Sequence, residues 1–159
     1  MLEFRNIVTT FLTWNDKILL MKRGSNRKIA PNLWFGVGGH MEPEEINNPY
    51  RSMYREILEE TGIDKKGILE LNLRYILYSR DPEIDEMVVN HIFFGKVKSP
   101  YFRPNDEGSL HWIEKDQVLK RPYHPAMKWV LERYINYGEE EMLFGVVDWN
   151  KLSIHWHPL

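Results

Sequence analysis

The sequence predicts a mixed α+β fold, and three observations predict it. Runs rich in β-branched and aromatic residues, each bounded by turn formers, occur both before and after a helical stretch. Two segments, at 49–61 and 125–137, repeat apolar residues at helical spacing. The resulting order of strands, helix, strands and helix belongs to a layered α+β domain. One domain spanning 1–159 is expected for a chain of 159 residues.

Each element can be justified in order. Residues 4–14 are rich in β-formers, Asn15 and Asp16 make a turn, and 17–23 return as the second strand of a hairpin. Gly24 to Asn32 form a loop of turn residues with basic groups. Trp34 to Met41 run extended into Gly38 and Gly39. A helix over 49–61 has legible ends: Asn48 can accept from a free N–H of the first turn, Pro49 suits the first helical position, and Gly62 can take positive φ. A long strand over 67–80, an acidic turn over 81–86 and a strand over 87–97 follow. Next come a loop over 99–109, a brief strand at 110–113, a helical turn at 116–119 and the second helix. The tail, 141–156, reads as a hairpin around Asp148, Trp149 and Asn150. It is expected to add an edge to the sheet or to join a two-fold homodimer interface.

Composition narrows the function classes. The chain is 43% hydrophobic and 28% charged, with a formal net charge of −2 and no cysteine. That charge argues against a binder of nucleic acid polymers. The missing thiols exclude disulfides and thiolate chemistry. No signal-peptide pattern and no membrane-length apolar run is read, so a cytoplasmic protein without membrane contact is expected.

The chemistry gathers in 38–63. On the first helix Tyr50, Met53, Tyr54, Ile57 and Leu58 cover one arc, while Glu56, Glu59 and Glu60 share another, placed nearly opposite. Like charges at this spacing repel, and Arg55 lies at i,i+4 from Glu59. A solvated acidic face is the plain reading. The alternative is a divalent cation site, because Mg²⁺ takes carboxylate, water and phosphate oxygens.

This stretch resembles the Nudix (MutT-like) signature, G-x5-E-x7-R-E-U-x-E-E-x-G-U, where U is bulky and aliphatic. Gly39 opens it, Glu45 follows after five residues, and 55–63 match the second half at every defined position. One departure is that nine residues, not seven, separate Glu45 from Arg55. The extra length fits best near Ile46 and Asn47. The resemblance implies an α/β/α sandwich with a mixed sheet and the signature helix on one face. It also implies metal-dependent hydrolysis of a nucleoside diphosphate linked to another group, with Mg²⁺ or Mn²⁺. Carried over by position, Glu56, Glu59, Glu60 and the Gly38 carbonyl are the metal ligands. Arg55 orients a glutamate, and Glu45 supports the ligands from behind. Glu107, with Asp106 as fallback, completes the site or acts as base. Arg23 faces phosphates, assisted by Arg27 and Lys28, and Trp34 and Phe35 flank a base, one of the two being a core aromatic.

Trp34-Phe35-Gly36-Val37-Gly38-Gly39 is similar to the W-N-G-x-G-G of the branch that cleaves oxidised purine triphosphates, with Phe35 in place of the base-reading Asn. His40 stands where Lys is frequent. The expected substrate is a (deoxy)nucleoside triphosphate, cleaved to monophosphate and pyrophosphate. The alternatives are a nucleotide sugar, a dinucleoside polyphosphate, or nucleotide sensing without turnover. His155 and His157 alternate in the tail and are read as ordinary polar residues.

Overall fold

Strand β1 (Glu3–Trp14) is the axis of the sheet. The computed structural model describes residues 2–80, 85–139 and 141–159. Along one edge β1 runs parallel to β6 (Glu86–Val97), from Glu3↔Glu86 to Thr13↔Lys96. Its other edge is shared. Thr13 and Trp14 pair with β2 (Lys17–Arg23) across a tight turn in which Asn15 takes φ 51°. Ile7 to Thr10 pair with β4 (Val37–His40).

β2 diverges from β1 and pairs with β3 (Trp34–Phe35) and β7 (Gly108–Glu114). Beyond β6 come β5 (Ile68–Arg80), β8 (Leu143–Asp148) and β9 (Ser153–Pro158), with β8 parallel to β5 and antiparallel to β9. The tail hairpin therefore extends the sheet, the first of its two expected placements. Of the acidic turn at 81–86, residues 81–84 lie outside the described residues; Asp85 pairs with Arg80 at 2.8 Å.

Two helices cover the sheet, α1 (Pro49–Thr61) and α2 (Pro125–Tyr137). Both match their predicted bounds, because their end signals are local. Asn48 accepts from the Arg51 N–H at 3.1 Å, and Gly62 sits at φ 74° with its N–H on the Leu58 carbonyl.

Strand alternation sorts the core into two layers. Val8, Leu12, Leu19, Met21, Phe93 and Val97 join Met53 and Ile57 of α1. Phe11, Ile18, Leu20, Ile92 and Phe94 join Val130, Leu131 and Tyr134 of α2. Buried on both faces, the central strands read as nearly continuous apolar runs. β5 crosses between layers: Leu71 belongs to the α1 layer, whereas Tyr75 and Leu77 belong to the α2 layer, although all three are odd-numbered. A register shift between Leu73 and Tyr75 against β6 supplies the flip. The result is an α/β/α sandwich.

The expected faces of α1 need correction. Its buried residues are Ser52, Met53, Glu56, Ile57, Glu60 and Thr61, while Leu58 is 45% and Tyr50 38% exposed. Glu56 and Glu60 thus lie within the buried face, not opposite it. Only Glu59 points outward, its side chain 58% exposed. The cause is the neighbouring strand. Gly38 and Gly39 have no side chains, so α1 can turn two carboxylates toward the sheet there.

Two predictions follow from this packing. Removing residues 138–159 would uncover Tyr75 and Leu77 and delete Val147 from the α2 layer, at about 1.5–3 kcal/mol per buried apolar side chain. The truncated chain should lose its cooperative thermal transition by circular dichroism; an unchanged transition would show that the hairpin is not part of the core. Separately, Thr10 is fully buried and its hydroxyl has no hydrogen-bond partner. Thr10→Val is nearly isosteric and removes that penalty of about 1 kcal/mol, so its denaturant midpoint should equal or exceed the parent's.

Candidate active site

Arg55 ties α1 to two other segments. Its guanidinium donates to both Glu45 carboxylate oxygens, from Nε at 2.8 Å and from Nη2 at 3.0 Å. Nη1 reaches Glu56 at 2.9 Å and Glu59 at 3.2 Å. Nη2 also donates to the His40 carbonyl at 3.0 Å. A planar fork suits this work, since one side chain can hold a carboxylate with two parallel bonds and still bridge to others.

Glu45 is buried behind the helix. It closes a short 3-10 turn, Pro43–Glu45, and accepts from the Glu42 N–H at 3.0 Å. Ile46 and Asn47, the expected place of the two extra residues of the signature loop, are exposed. They bulge into solvent and leave Glu45 in contact with Arg55. Hydrogen bonding from Arg55 holds the Glu45 carboxyl well down, from 4.5 to about 2, against the upward push of burial.

Glu60 and Glu56 press against the glycine strand. The Gly38 N–H donates to Glu60 Oε2 at 3.2 Å. A Cβ on Gly39 would lie 2.6 Å from Glu56 Oε1, so any side chain there would displace the carboxylate. Burial raises the pKa of both acids. For Glu60 the Glu107 carboxyl, which stands beside it, raises it further; for Glu56 the Arg55 contact partly opposes the rise.

The loop after β6 brings Glu107 to this place by binding the C-terminal end of α1, whose last carbonyls lack intrahelical partners. The Arg103 N–H donates to the Thr61 carbonyl at 2.7 Å, and Asn105 Nδ2 donates to the Glu60 carbonyl at 2.8 Å. Of the two acids considered, Glu107 stands at the carboxylates. Asp106 instead offers its backbone carbonyl to Arg27 Nη2 at 2.8 Å. Asn105 was missed by sequence reasoning. Its spacing to Gly108 signals a turn, but nothing local signals the bond to Glu60.

Arg23 donates to the Ile29 carbonyl at 3.2 Å and lies over the Phe35 ring at 5.5 Å. Trp34 packs against the α2 layer, beside His111 and Arg121, so it is the core aromatic of the pair. His40 Nε2 meets the Arg5 guanidinium at 3.0 Å. His155 pairs with Asp148 at 3.2 Å and His157 lies against Phe144. Both histidines line a cavity of about 770 Å³ with Arg80 and Trp149, and it contains none of the clustered carboxylates.

The donor set suits a hard divalent cation: carboxylates only, two of them buried, against a strand whose backbone is bare. Among the described residues, no three His, Asp or Glu side chains already converge as a finished metal site. Arg55 takes one oxygen each of Glu56 and Glu59, and the Gly38 N–H takes one of Glu60. That leaves a second oxygen on each.

Glu45 gives a prediction with a definite sign. Its folded pKa lies below its unfolded one, so its contribution is complete above about pH 4.5 and is lost as pH falls toward 2. Glu45→Gln should cost about 1–3 kcal/mol at pH 7, read by urea denaturation. The gap between parent and variant should shrink through that window; a gap independent of pH would mean that the Arg55 pair carries no stability.

A NUDIX domain model matches residues 3–134. The fold is similar to that of a mutator MutT protein from Bacillus halodurans, with a TM-score of 0.76, 22% identity, and 98% of this chain and 99% of that one covered. The NUDIX domain of NrtR from Shewanella oneidensis, solved with ADP ribose, gives a TM-score of 0.58 at 16% identity over 77% of this chain and 79% of that one. A 50-residue stretch is 42% identical to the m7GpppN-mRNA hydrolase NUDT17 of Danio rerio, covering 31% of this chain and 16% of that protein. The chain thus spans a small part of the length of the curated relatives it matches. The family match runs from β1 into α2 and takes in Arg55 and all five clustered glutamates, and the chain belongs to the Nudix hydrolase family.

Proposed function

We propose that the protein hydrolyses a nucleoside diphosphate linked to a further group, and that this substrate is a (deoxy)nucleoside triphosphate, oxidised or not, cleaved to monophosphate and pyrophosphate. The observation that carries the reading is Arg55, held by Glu45 and reaching Glu56 and Glu59 while Glu60 stands at the glycine strand with Glu107 beside it. A cation would offset such a cluster of like charges, and one arginine does not balance it.

Glu56, Glu59, Glu60 and the Gly38 carbonyl would hold Mg²⁺ or Mn²⁺. When bound, the ion supplies a Lewis acid that neutralises phosphate oxygens. The chain's own groups do the rest. Arg55 fixes one oxygen each of Glu56 and Glu59 and leaves the other oxygen of each for a cation. Glu107, exposed beside buried Glu60, accepts the proton of the attacking water. Arg23 and Arg27 balance the phosphate chain, and Phe35 under Arg23 offers a ring to the base, while Trp34 anchors that strand in the core. Phe35 stacks without reading a base edge, so base selectivity is expected to be modest.

A second reading keeps the reaction and changes the linked group. The relatives named for a capped mRNA and solved with ADP ribose both concern a nucleoside diphosphate joined to something other than phosphate. Sensing without turnover is disfavoured, because Arg55, Glu56, Glu59 and Glu60 are all retained.

The test is a Mg²⁺-dependent panel of ordinary and 8-oxo purine triphosphates, ADP ribose, a dinucleoside polyphosphate and a capped dinucleotide, with products separated. Glu59→Gln is the matched control, since Glu59 is the exposed member of the trio and its loss leaves the core alone. Its rate should fall roughly 100-fold or more, the loss of several kcal/mol of charge stabilisation. Near-parental turnover of the variant at saturating Mg²⁺ would remove the metal-site assignment. Silence across the panel, with nucleotide binding by calorimetry, would favour a sensing module.

A further inference from the structure

The loop at 99–109 is tied to the Glu60 backbone by one amide side chain. Asn105 Oδ1 accepts from the Glu107 N–H at 2.8 Å and from the Gly108 N–H at 3.3 Å. Its Nδ2 donates to the Glu60 carbonyl at 2.8 Å. The first two bonds form an ordinary Asx turn, which Asp or Ser would also make. The third needs a donor, and among these residue types only Asn offers both functions in one planar group. We propose that Asn105 is a positioning residue, clamping the backbone of Glu107 to the last turn of α1 and so fixing where the Glu107 carboxylate stands relative to that of Glu60.

The geometry gives the clamp its reach. Glu60 is the residue whose carbonyl Asn105 grips and whose carboxylate meets both the Gly38 N–H and Glu107. A shift of the loop would therefore move Glu107 against a fixed Glu60. The neighbouring contacts hold the loop's approach: Arg103 donates to the Thr61 carbonyl from its backbone and to the Leu58 carbonyl from Nη2 at 3.4 Å. Those contacts lie two residues before Asn105; beyond it the Asp106 carbonyl accepts from Arg27 and Gly108 pairs with Arg23 in β7, so Asn105 is the tie between Glu107 and α1. Asn105 alone, among the described side chains of this loop, touches both Glu60 and the amide of Glu107.

The inference rests on the reading of Glu60 and Glu107 in the proposed function, and its test separates the two. Mn²⁺ affinity is measured by electron paramagnetic resonance for the parent, Asn105→Ala, Asn105→Asp, Glu107→Gln and the double variant Asn105→Ala/Glu107→Gln. kcat and KM are taken on the best substrate. Asn105→Ala should weaken Mn²⁺ binding about 10-fold, the scale of an outer hydrogen-bond partner, and lower kcat with little change in KM. The double variant should be no worse than Glu107→Gln, because Asn105 acts through Glu107. Asn105→Asp keeps the turn, loses the donation to Glu60 and should not rescue. Rescue by Asn105→Asp, or additive losses in the double variant, would overturn the clamp while leaving the metal site standing. Absence of Mn²⁺ binding by the parent would overturn both.

Discussion

The close approach of α1 to a strand without side chains is the constraint on which the rest depends. A helix face of Ser52, Met53, Glu56, Ile57, Glu60 and Thr61 mixes apolar, hydroxyl and acidic side chains. It can pack only against a surface that is apolar at one end and bare backbone at the other. Gly38 and Gly39 provide the bare end. A Cβ on Gly38 would sit against the Val8 carbonyl, and one on Gly39 against the Glu56 carboxylate. The glycines are therefore a packing requirement of two partners at once, the strand behind and the helix in front. Arg55 then makes the acidic end tolerable. Its position at the edge of the helix lets it meet Glu45 from the preceding turn and the two nearest glutamates of its own helix.

That arrangement explains why the other end of α1 matters equally. A helix that carries its clustered glutamates on its last two turns has its unpaired carbonyls close by. Leu58, Glu60 and Thr61 each give a carbonyl to the 99–109 loop or to the cap. The loop is thereby ordered by backbone groups of the very residues whose side chains form the cluster. Stability of the loop and placement of Glu107 become one property, set by hydrogen bonds rather than by burial, since most of this loop is exposed.

Legibility in the sequence tracks how local each cause is. The bounds of α1 could be read because Asn48, Pro49 and Gly62 act within a turn of their own positions. The hairpin of β1 and β2 could be read because Asn15 supplies the positive φ itself. The buried face of α1 could not. Tyr50, Tyr54 and Leu58 make a plausible apolar arc, and the choice against it was made by two glycines ten or more residues away. The β5 flip depends on a register shift against β6, and the parallel seat of β8 beside β5 is a pairing that neither strand encodes alone. In the site, Arg55 and the helix glutamates could be named from their pattern. Glu45 needed the insertion to fall in an exposed loop, and Asn105 acts through a carbonyl, which carries no sequence signal.

Charge balance is the last step that ties fold to chemistry. Glu45 and Arg55 form a closed pair: the carboxyl of Glu45 is held well down by the guanidinium, and that charge is satisfied. Glu56, Glu59, Glu60 and Glu107 then share what remains of a single cation. Burial raises the pKa of Glu56 and Glu60, that of Glu60 to about 9, so apart from any ion Glu60 relieves the cluster by taking up a proton. In the proposed reading a divalent cation does the same work without protons, and the carboxylates stay charged to hold it. Cation binding should then displace the proton of Glu60.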